Sequence, residues 1–198
     1  RRVSLRRVVW LIKAGIGCNK HVAFTLGQSK FADRSMNADI INAVQRKVIM
    51  LLEDNADRLR AFESAVNQLG AEYQLRSWRH ANRMIAECHE VLAETALISL
   101  DHDLDKEHEH SPDPGDGVQV AAFLARLPCL CPVILHTSNG ERVWSMHNEF
   151  RFGGWESERV MPMERDWIAR SWLPKARALL EKATADQTTY YCPVLCHD

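Results

Sequence analysis

The sequence predicts an α/β fold, a doubly wound five-stranded parallel sheet with helices on both faces. Three observations predict it. Strand-length apolar runs alternate five times with helix-length segments. The strongest runs, "VIMLL" at 48–52, "ALISL" at 96–100 and "PVIL" at 132–135, are almost continuously apolar, as expected of strands covered on both faces. Several of these runs stop abruptly in acids, imidazoles and hydroxyls, at the strand ends where an open parallel sheet places its ligands.

The elements follow in order. "KVIMLLEDN" (47–55) is a strand running into acids. "ADRLRAFESAVNQLG" (56–70) is a helix whose Leu59, Phe62, Val66 and Leu69 mark one face, with Gly70 as its stop. "AEYQLRSW" (71–78) is a half-polar strand, and 80–94 a second helix with Ile85, Cys88 and Leu92 inward. After the strand at 96–100, Pro112, Pro114, Gly115 and Gly117 keep 105–117 a loop. A short helix spans 118–127, a strand begins at 132, and a helix covers 140–151 before Gly153 and Gly154. "WESERVM" (155–161) is a fifth, shorter strand. The last helix, 163–183, contains Pro174, which predicts a kink or a break. Trp155, Trp167 and Trp172 read as core anchors, and His147 as a helix-packing residue. One domain over 46–183 accounts for all of this, with 184–198 as a tail.

The formal net charge is −1, unevenly spread. Residues 1–47 hold ten Lys and Arg against two acids, and 48–198 hold fifteen against twenty-four. The basic part is expected to be a poorly ordered extension over 1–45, with a short helix at 38–46 and Met36 as a candidate start. The acidic body argues against stable binding to double-stranded nucleic acid, whose phosphates it repels. No apolar run is long enough to span a bilayer: "VVWLIKAGIG" has ten residues and includes Lys13. The six cysteines (18, 88, 129, 131, 192 and 196) read as reduced thiols of a cytoplasmic protein. A zinc site from the two closely spaced pairs is the alternative.

The polar strand ends supply the candidate site. Glu53 and Asp54 follow the first strand, Asp101, His102 and Asp103 the third, His136, Thr137, Ser138 and Asn139 the fourth, and Arg159 lies in the fifth. Glu53, Asp54 and Asp101 would crowd together, and ionised carboxylates in one cleft repel unless a cation sits between them. Oxygen donors suit Mg²⁺, with Ca²⁺ and Mn²⁺ as alternatives. Asp101 and Asp103 point the same way while the strand persists, and His102 the opposite way unless the chain turns. Thr137, Ser138 and Arg159 are candidates to hold a phosphoryl oxygen. Asn139 either joins them or caps the next helix. Capping by Asp54 and a satisfied buried ring for His136 are the plainer alternatives.

In order and spacing, these pieces resemble a response-regulator receiver domain over about 47–183, which implies the flavodoxin-like version of the predicted fold. "LLEDN" is similar to the receiver's acidic pair, and "LISLDHDL" to its third strand with Asp101 at the phospho-acceptor position. "DG" at 116–117 is similar to the start of its third helix, and "PVILHTSN" to its fourth strand with Thr137 at the hydroxyl position. Two departures matter. Where receivers carry a Lys before a Pro, "RVMP" has Met161, and Arg159 lies two residues earlier. His102, Asp103 and His136 are not usual receiver residues. "DHDL" and "HTSN" instead resemble the cyclic-phosphate-processing receiver-like family.

That resemblance implies metal-dependent processing of a cyclic phosphate on a nucleotide or an RNA end. His102 and His136 would move protons near neutral pH, with Asp101 and Asp103 beside them. Glu53, Asp54 and Asp101 would hold Mg²⁺, and Thr137, Ser138, Asn139 and Arg159 the phosphate. Two alternatives remain: a signalling receiver phosphorylated on Asp101, and a non-catalytic receiver-like interaction module. A homodimer or a signalling partner would accompany either.

Overall fold

The computed structural model describes residues 47–106 and 108–189, the side chains of 186–189 excepted, all within the unit Met36–Asp198. The basic extension, the short helix expected at 38–46 and the cysteines at 18, 192 and 196 lie outside the described residues. The strands are β1 (Lys47–Leu52), β2 (Tyr73–Trp78), β3 (Thr95–Leu100), β4 (Val133–Leu135) and β5 (Ser157–Arg159). They form one parallel sheet in the order β2-β1-β3-β4-β5. The helices are α1 (Ala56–Leu69), α2 (Ala81–Glu87), α3 (Gly117–Leu124), α4 (Gly140–Phe152) and α5 (Leu173–Thr189). This is the predicted doubly wound α/β fold.

Two-sided burial explains the continuous apolar runs. In β1, Val48, Met50 and Leu52 pack with α2, α3 and α4, while Ile49 and Leu51 pack with α1 and α5. Ile98 and Leu100 of β3 and Val133 and Leu135 of β4 join the first face; Leu97 and Ile134 join the second. Trp155 lies in the first core and Trp167 and Trp172 in the second, all three as anchors. His147 lies on α4 itself, with its Nδ1 2.7 Å from Ser157 Oγ of β5.

Two helices differ from expectation. The helix expected over 80–94 is α2 followed by two short 3₁₀ turns, Cys88–Glu90 and Leu92–Glu94. The tighter turns carry the chain from Cys88, inside the core, to the start of β3. The helix expected from 163 is a five-residue π turn, Ile168–Trp172, leading into α5. Leu173 N–H donates to Ile168 C=O, five residues back, so the ladder widens immediately before Pro174, which has no N–H to donate. The break predicted at Pro174 is therefore displaced upstream, and Pro174 sits in the first turn of α5, where its missing donor costs little. At its other end α5 continues past 183 to Thr189.

Local chemistry fixes the helix starts. Asn55 Oδ1 accepts from Asp57 and Arg58 N–H, Asp116 Oδ1 from Gln119 N–H, and Asn139 Oδ1 from Arg142 N–H. Gly117 begins α3 for a different reason. A Cβ there would lie 2.2 Å from Asp101 C=O and 2.9 Å from His102 Cα, so only glycine lets α3 approach the end of β3. Gly140, the first residue of α4, would place a Cβ in open space. Gly117→Ala is therefore expected to lower stability by about 1–3 kcal/mol through overpacking. Gly140→Ala is expected to be neutral or to stabilise by up to about 1 kcal/mol. Urea denaturation of the two variants measures the contrast.

Candidate active site at the strand ends

The site grows out of strand register. Leu52, Leu100 and Leu135 are paired neighbours across β1, β3 and β4. The next residues along the three strands are Glu53, Asp101 and His136. Main-chain hydrogen bonds carry the ladder into this row: Asp101 N–H to Leu52 C=O at 3.0 Å and His136 N–H to Leu100 C=O at 2.9 Å. In a parallel sheet, residues of one row point to one face. For this row it is the face of Ile49, Leu51, Leu97 and Ile134, covered by α1 and α5. One ligand atom from each of the three side chains falls in a cluster less than 4.8 Å across.

The row is buried. Glu53 and His136 are 0% exposed and Asp101 3%. Behind it, Trp172 Nε1 donates to Ser99 Oγ at 2.9 Å, and Ser99 Oγ is hydrogen-bonded to His136 Nδ1 at 2.8 Å. Phe62 and Trp167 pack on the His136 ring, with centroids 5.1 and 5.7 Å away. The other ring nitrogen, Nε2, lies 3.5 Å from Glu53 Oε2. Neither of these two buried atoms has a hydrogen-bond partner.

Arg58 closes the outer side. Its guanidinium lies 3.1 Å from Asp101 Oδ2, 3.2 Å from Glu53 Oε1 and 3.8 Å from Asp54 Oδ1. Burial pushes the Asp101 and Asp54 carboxyls up, and the charge on Glu53 adds to both effects. Burial pushes Glu53 up as well, but His136, the Asn55 N–H and Arg58 together outweigh it and hold Glu53 below the usual carboxylate range.

The predicted residues divide into groups. Asp54 stays outside the inner cluster, with its Oδ2 accepting Asp105 N–H at 2.6 Å. The three carboxylates expected to gather thus become two, with His136 as the third member. His102 is buried where α3 begins, and its Nε2 lies 3.6 Å from Oδ1 of the exposed Asp103. Among the described residues no hydrogen bond, ion pair or ring contact joins His102 to His136, so the turn after Asp101 does not assemble the imidazole pair. Thr137 is buried; its hydroxyl donates to Asp103 Oδ2 at 3.5 Å and accepts from Asn139 N–H at 3.1 Å. Ser138 is exposed, and the Asn139 side chain caps α4. Arg159 is exposed, and among the described residues no ion pair joins it to the acids.

Arg58 was missed, although its signal was present. It lies four residues after Asp54 and four before Phe62, on the stripe of α1 that faces the row. Arg79 was also missed: it follows β2 at the same edge, and its Nε donates to Asp54 C=O at 3.1 Å. Above Asp54, a cleft of ≈ 270 Å³ is bordered by Asn55, Arg58, Arg79, Asp105 and Lys106. Three cations at an opening over two ionisable acids make it a place for an anion next to a cation site. The cluster itself fits a divalent cation: two carboxylates, one imidazole, and two buried ligand atoms without partners.

The family model described as "Cyclic-phosphate processing Receiver domain" matches residues 48–152, just over half of the chain. No curated protein matches. Among solved structures, the phosphorylated cyanobacterial phytochrome response regulator RcpA is 18% identical, with a TM-score of 0.50 over 69% of this chain and 92% of its own. The signal receiver domain of an HD domain-containing protein from Pseudomonas fluorescens Pf-5 is 19% identical, with a TM-score of 0.51 over 71% and 99%. A response regulator receiver domain protein from Clostridium thermocellum is 12% identical, with a TM-score of 0.51 over 70% and 98%. These likenesses concern the fold.

Replacing Arg58 by Met leaves Glu53, Asp54 and Asp101 without their shared counter-charge. The expected cost at pH 7 in chelator is about 1–3 kcal/mol. Arg58 holds all three carboxyls down; without it they bind protons still more tightly in the folded chain, so lowering the pH stabilises the variant more than the unsubstituted chain. The deficit relative to the unsubstituted chain should therefore shrink between pH 7 and pH 5. Denaturation at the two pH values measures it, and a deficit that grows in acid contradicts this account of the rim.

Proposed function

Because the chain belongs to the cyclic-phosphate processing Receiver domain family, we propose that it is a metal-dependent phosphoesterase that opens a cyclic phosphate on a nucleotide or an RNA end. The observation that carries the reading is the buried row Glu53–Asp101–His136 beside Arg58, under a cleft bordered by cations. A pocket reduced to a binding surface has no need to keep two acids and an imidazole buried without full hydrogen bonding, an arrangement that costs stability.

A divalent cation on this row, Mg²⁺ being the hard-ion choice, would neutralise charge on the non-bridging oxygens of the phosphate. The chain's own residues account for the rest. Arg58, Arg79 and Lys106 draw the phosphate to the cleft. Ser138, exposed at the end of β4, would offer its hydroxyl to the substrate, Thr137 would act through Asp103, and Arg159 would serve a more distant part of the substrate from the edge strand. A water oxygen bonds to phosphorus, the bond from phosphorus to one ring oxygen breaks, and a proton ends on that oxygen, leaving a phosphomonoester. We assign the proton transfers to His102, whose Nε2 lies beside the exposed Asp103. His136, whose ring is wholly buried, takes no part in the proton transfers and belongs to the row that would hold the cation.

The test is a panel of 2′,3′-cyclic nucleotides and an RNA ending in a 2′,3′-cyclic phosphate. Turnover is expected to need a divalent cation, to stop in chelator and to fall at least about 100-fold in His102→Ala, the usual scale for loss of an acid–base group. His136→Ala should abolish it too. Acetyl phosphate with Mg²⁺ tests the signalling alternative: a labile adduct on Asp101 without turnover of any cyclic phosphate would replace this reading. A folded protein showing neither behaviour would leave an interaction module.

A further inference from the structure

We infer that the cation site is a mixed nitrogen–oxygen site in which His136 Nε2 is a direct ligand beside Glu53 and Asp101, and that it selects Mn²⁺ over Mg²⁺. The inference deepens the proposed function; it rests on that reading's cation and not on its reaction.

Four observations support it. First, Glu53 Oε2 and His136 Nε2 are buried, face each other at 3.5 Å and lack hydrogen-bond partners. That gap is longer than a good N–H···O bond, yet short enough for both atoms to reach one ion at the ordinary ligand distance of about 2.1 Å. Second, Arg58 engages the outer oxygens, Glu53 Oε1 and Asp101 Oδ2; Glu53 Oε2 is left without a partner, and Asp101 Oδ1, which accepts His102 N–H at 2.7 Å, keeps a second lone pair for an ion. Third, His136 is oriented as metal-bound imidazoles are, with the remote nitrogen in a hydrogen bond that fixes the ring. Here Ser99 makes that bond, and Trp172 holds Ser99. Fourth, Asp54, the third oxygen donor of an all-carboxylate site, has no ligand atom in the cluster that joins Glu53, Asp101 and His136, and its Oδ2 accepts Asp105 N–H at 2.6 Å.

The donor set then decides the metal. Two carboxylates and a neutral imidazole carry two negative charges, enough for a dication. Imidazole suits first-row transition ions, whereas Mg²⁺ strongly prefers oxygen. Ser99 and Trp172 are therefore metal-site residues at second hand: they hold the ring that holds the ion.

The experiment is pulsed electron paramagnetic resonance of the full chain loaded with substoichiometric Mn²⁺, together with calorimetric titration by Mn²⁺ and Mg²⁺. The expected spectrum shows ¹⁴N modulation from a directly bound imidazole, lost in His136→Gln and retained in His102→Gln. Ser99→Ala should weaken Mn²⁺ by about 10–100-fold, the usual effect of removing such a support, and Mg²⁺ by less than about twofold on the donor-preference argument. The wild-type spectrum decides nitrogen ligation even if a variant does not fold. Bound Mn²⁺ without nitrogen modulation, modulation that survives His136→Gln, or no Mn²⁺ binding at millimolar concentration would each overturn the inference. Nitrogen-bound Mn²⁺ without turnover of any cyclic phosphate would leave the inference standing and remove the phosphoesterase reading.

Discussion

The site depends on the register of three parallel strands. Leu52, Leu100 and Leu135 stand side by side, so the residues that follow them must also stand side by side. The hydrogen-bond ladder continues through Asp101 and His136, and the side chains of that row have one face available to them. Two carboxyls and an imidazole are thereby pressed into a space less than 4.8 Å across. A one-residue slip of any strand would send its contribution to the opposite face. The leucines beneath make such a slip expensive, because it would also turn apolar residues out of two cores.

Crowding on this scale has an electrostatic consequence that the surrounding residues manage. Burial pushes the Asp101 and Asp54 carboxyls up, whereas Glu53, facing His136 and Arg58, is held below the usual carboxylate range. Arg58 answers on the outer side of the row, while on the inner side His136 faces Glu53 without hydrogen-bonding it. The row is therefore partly compensated, positive charge being supplied from the solvent side while Glu53 Oε2 and His136 Nε2 stay without hydrogen-bond partners within. Helix α1 supports both halves: Arg58 and Phe62, one turn apart, touch the acids and the imidazole in turn. The start of α1 therefore matters electrostatically as well as for packing, and Asn55 fixes that start.

The opposite face is arranged differently. Gly117 brings α3 hard against the end of β3, and His102 is buried there beside the exposed Asp103. Asp103 in turn accepts from Thr137, whose hydroxyl also receives the Asn139 N–H. The two imidazoles that follow from one reading of the strand ends thus acquire separate neighbourhoods, one dry and aromatic, the other at the rim.

The sheet, its parallel sense and the edge that carries the polar residues were legible in the amino-acid order, because a strand covered on both faces must be apolar at successive positions and its end is where that demand lapses. The acids and imidazoles of the rim were legible for the same reason. The partition among them was not, because it depends on pairing register, and register is a relation between strands that no single strand contains. Tertiary structure alone set Asp54 aside in favour of His136, brought Arg58 from a helix to the acids, left Arg159 on an exposed edge and seated His102 under α3. Each of these outcomes is a distance between segments remote in sequence. Such distances are set by how the layers pack, whereas periodicity along the chain reports only which face a residue prefers.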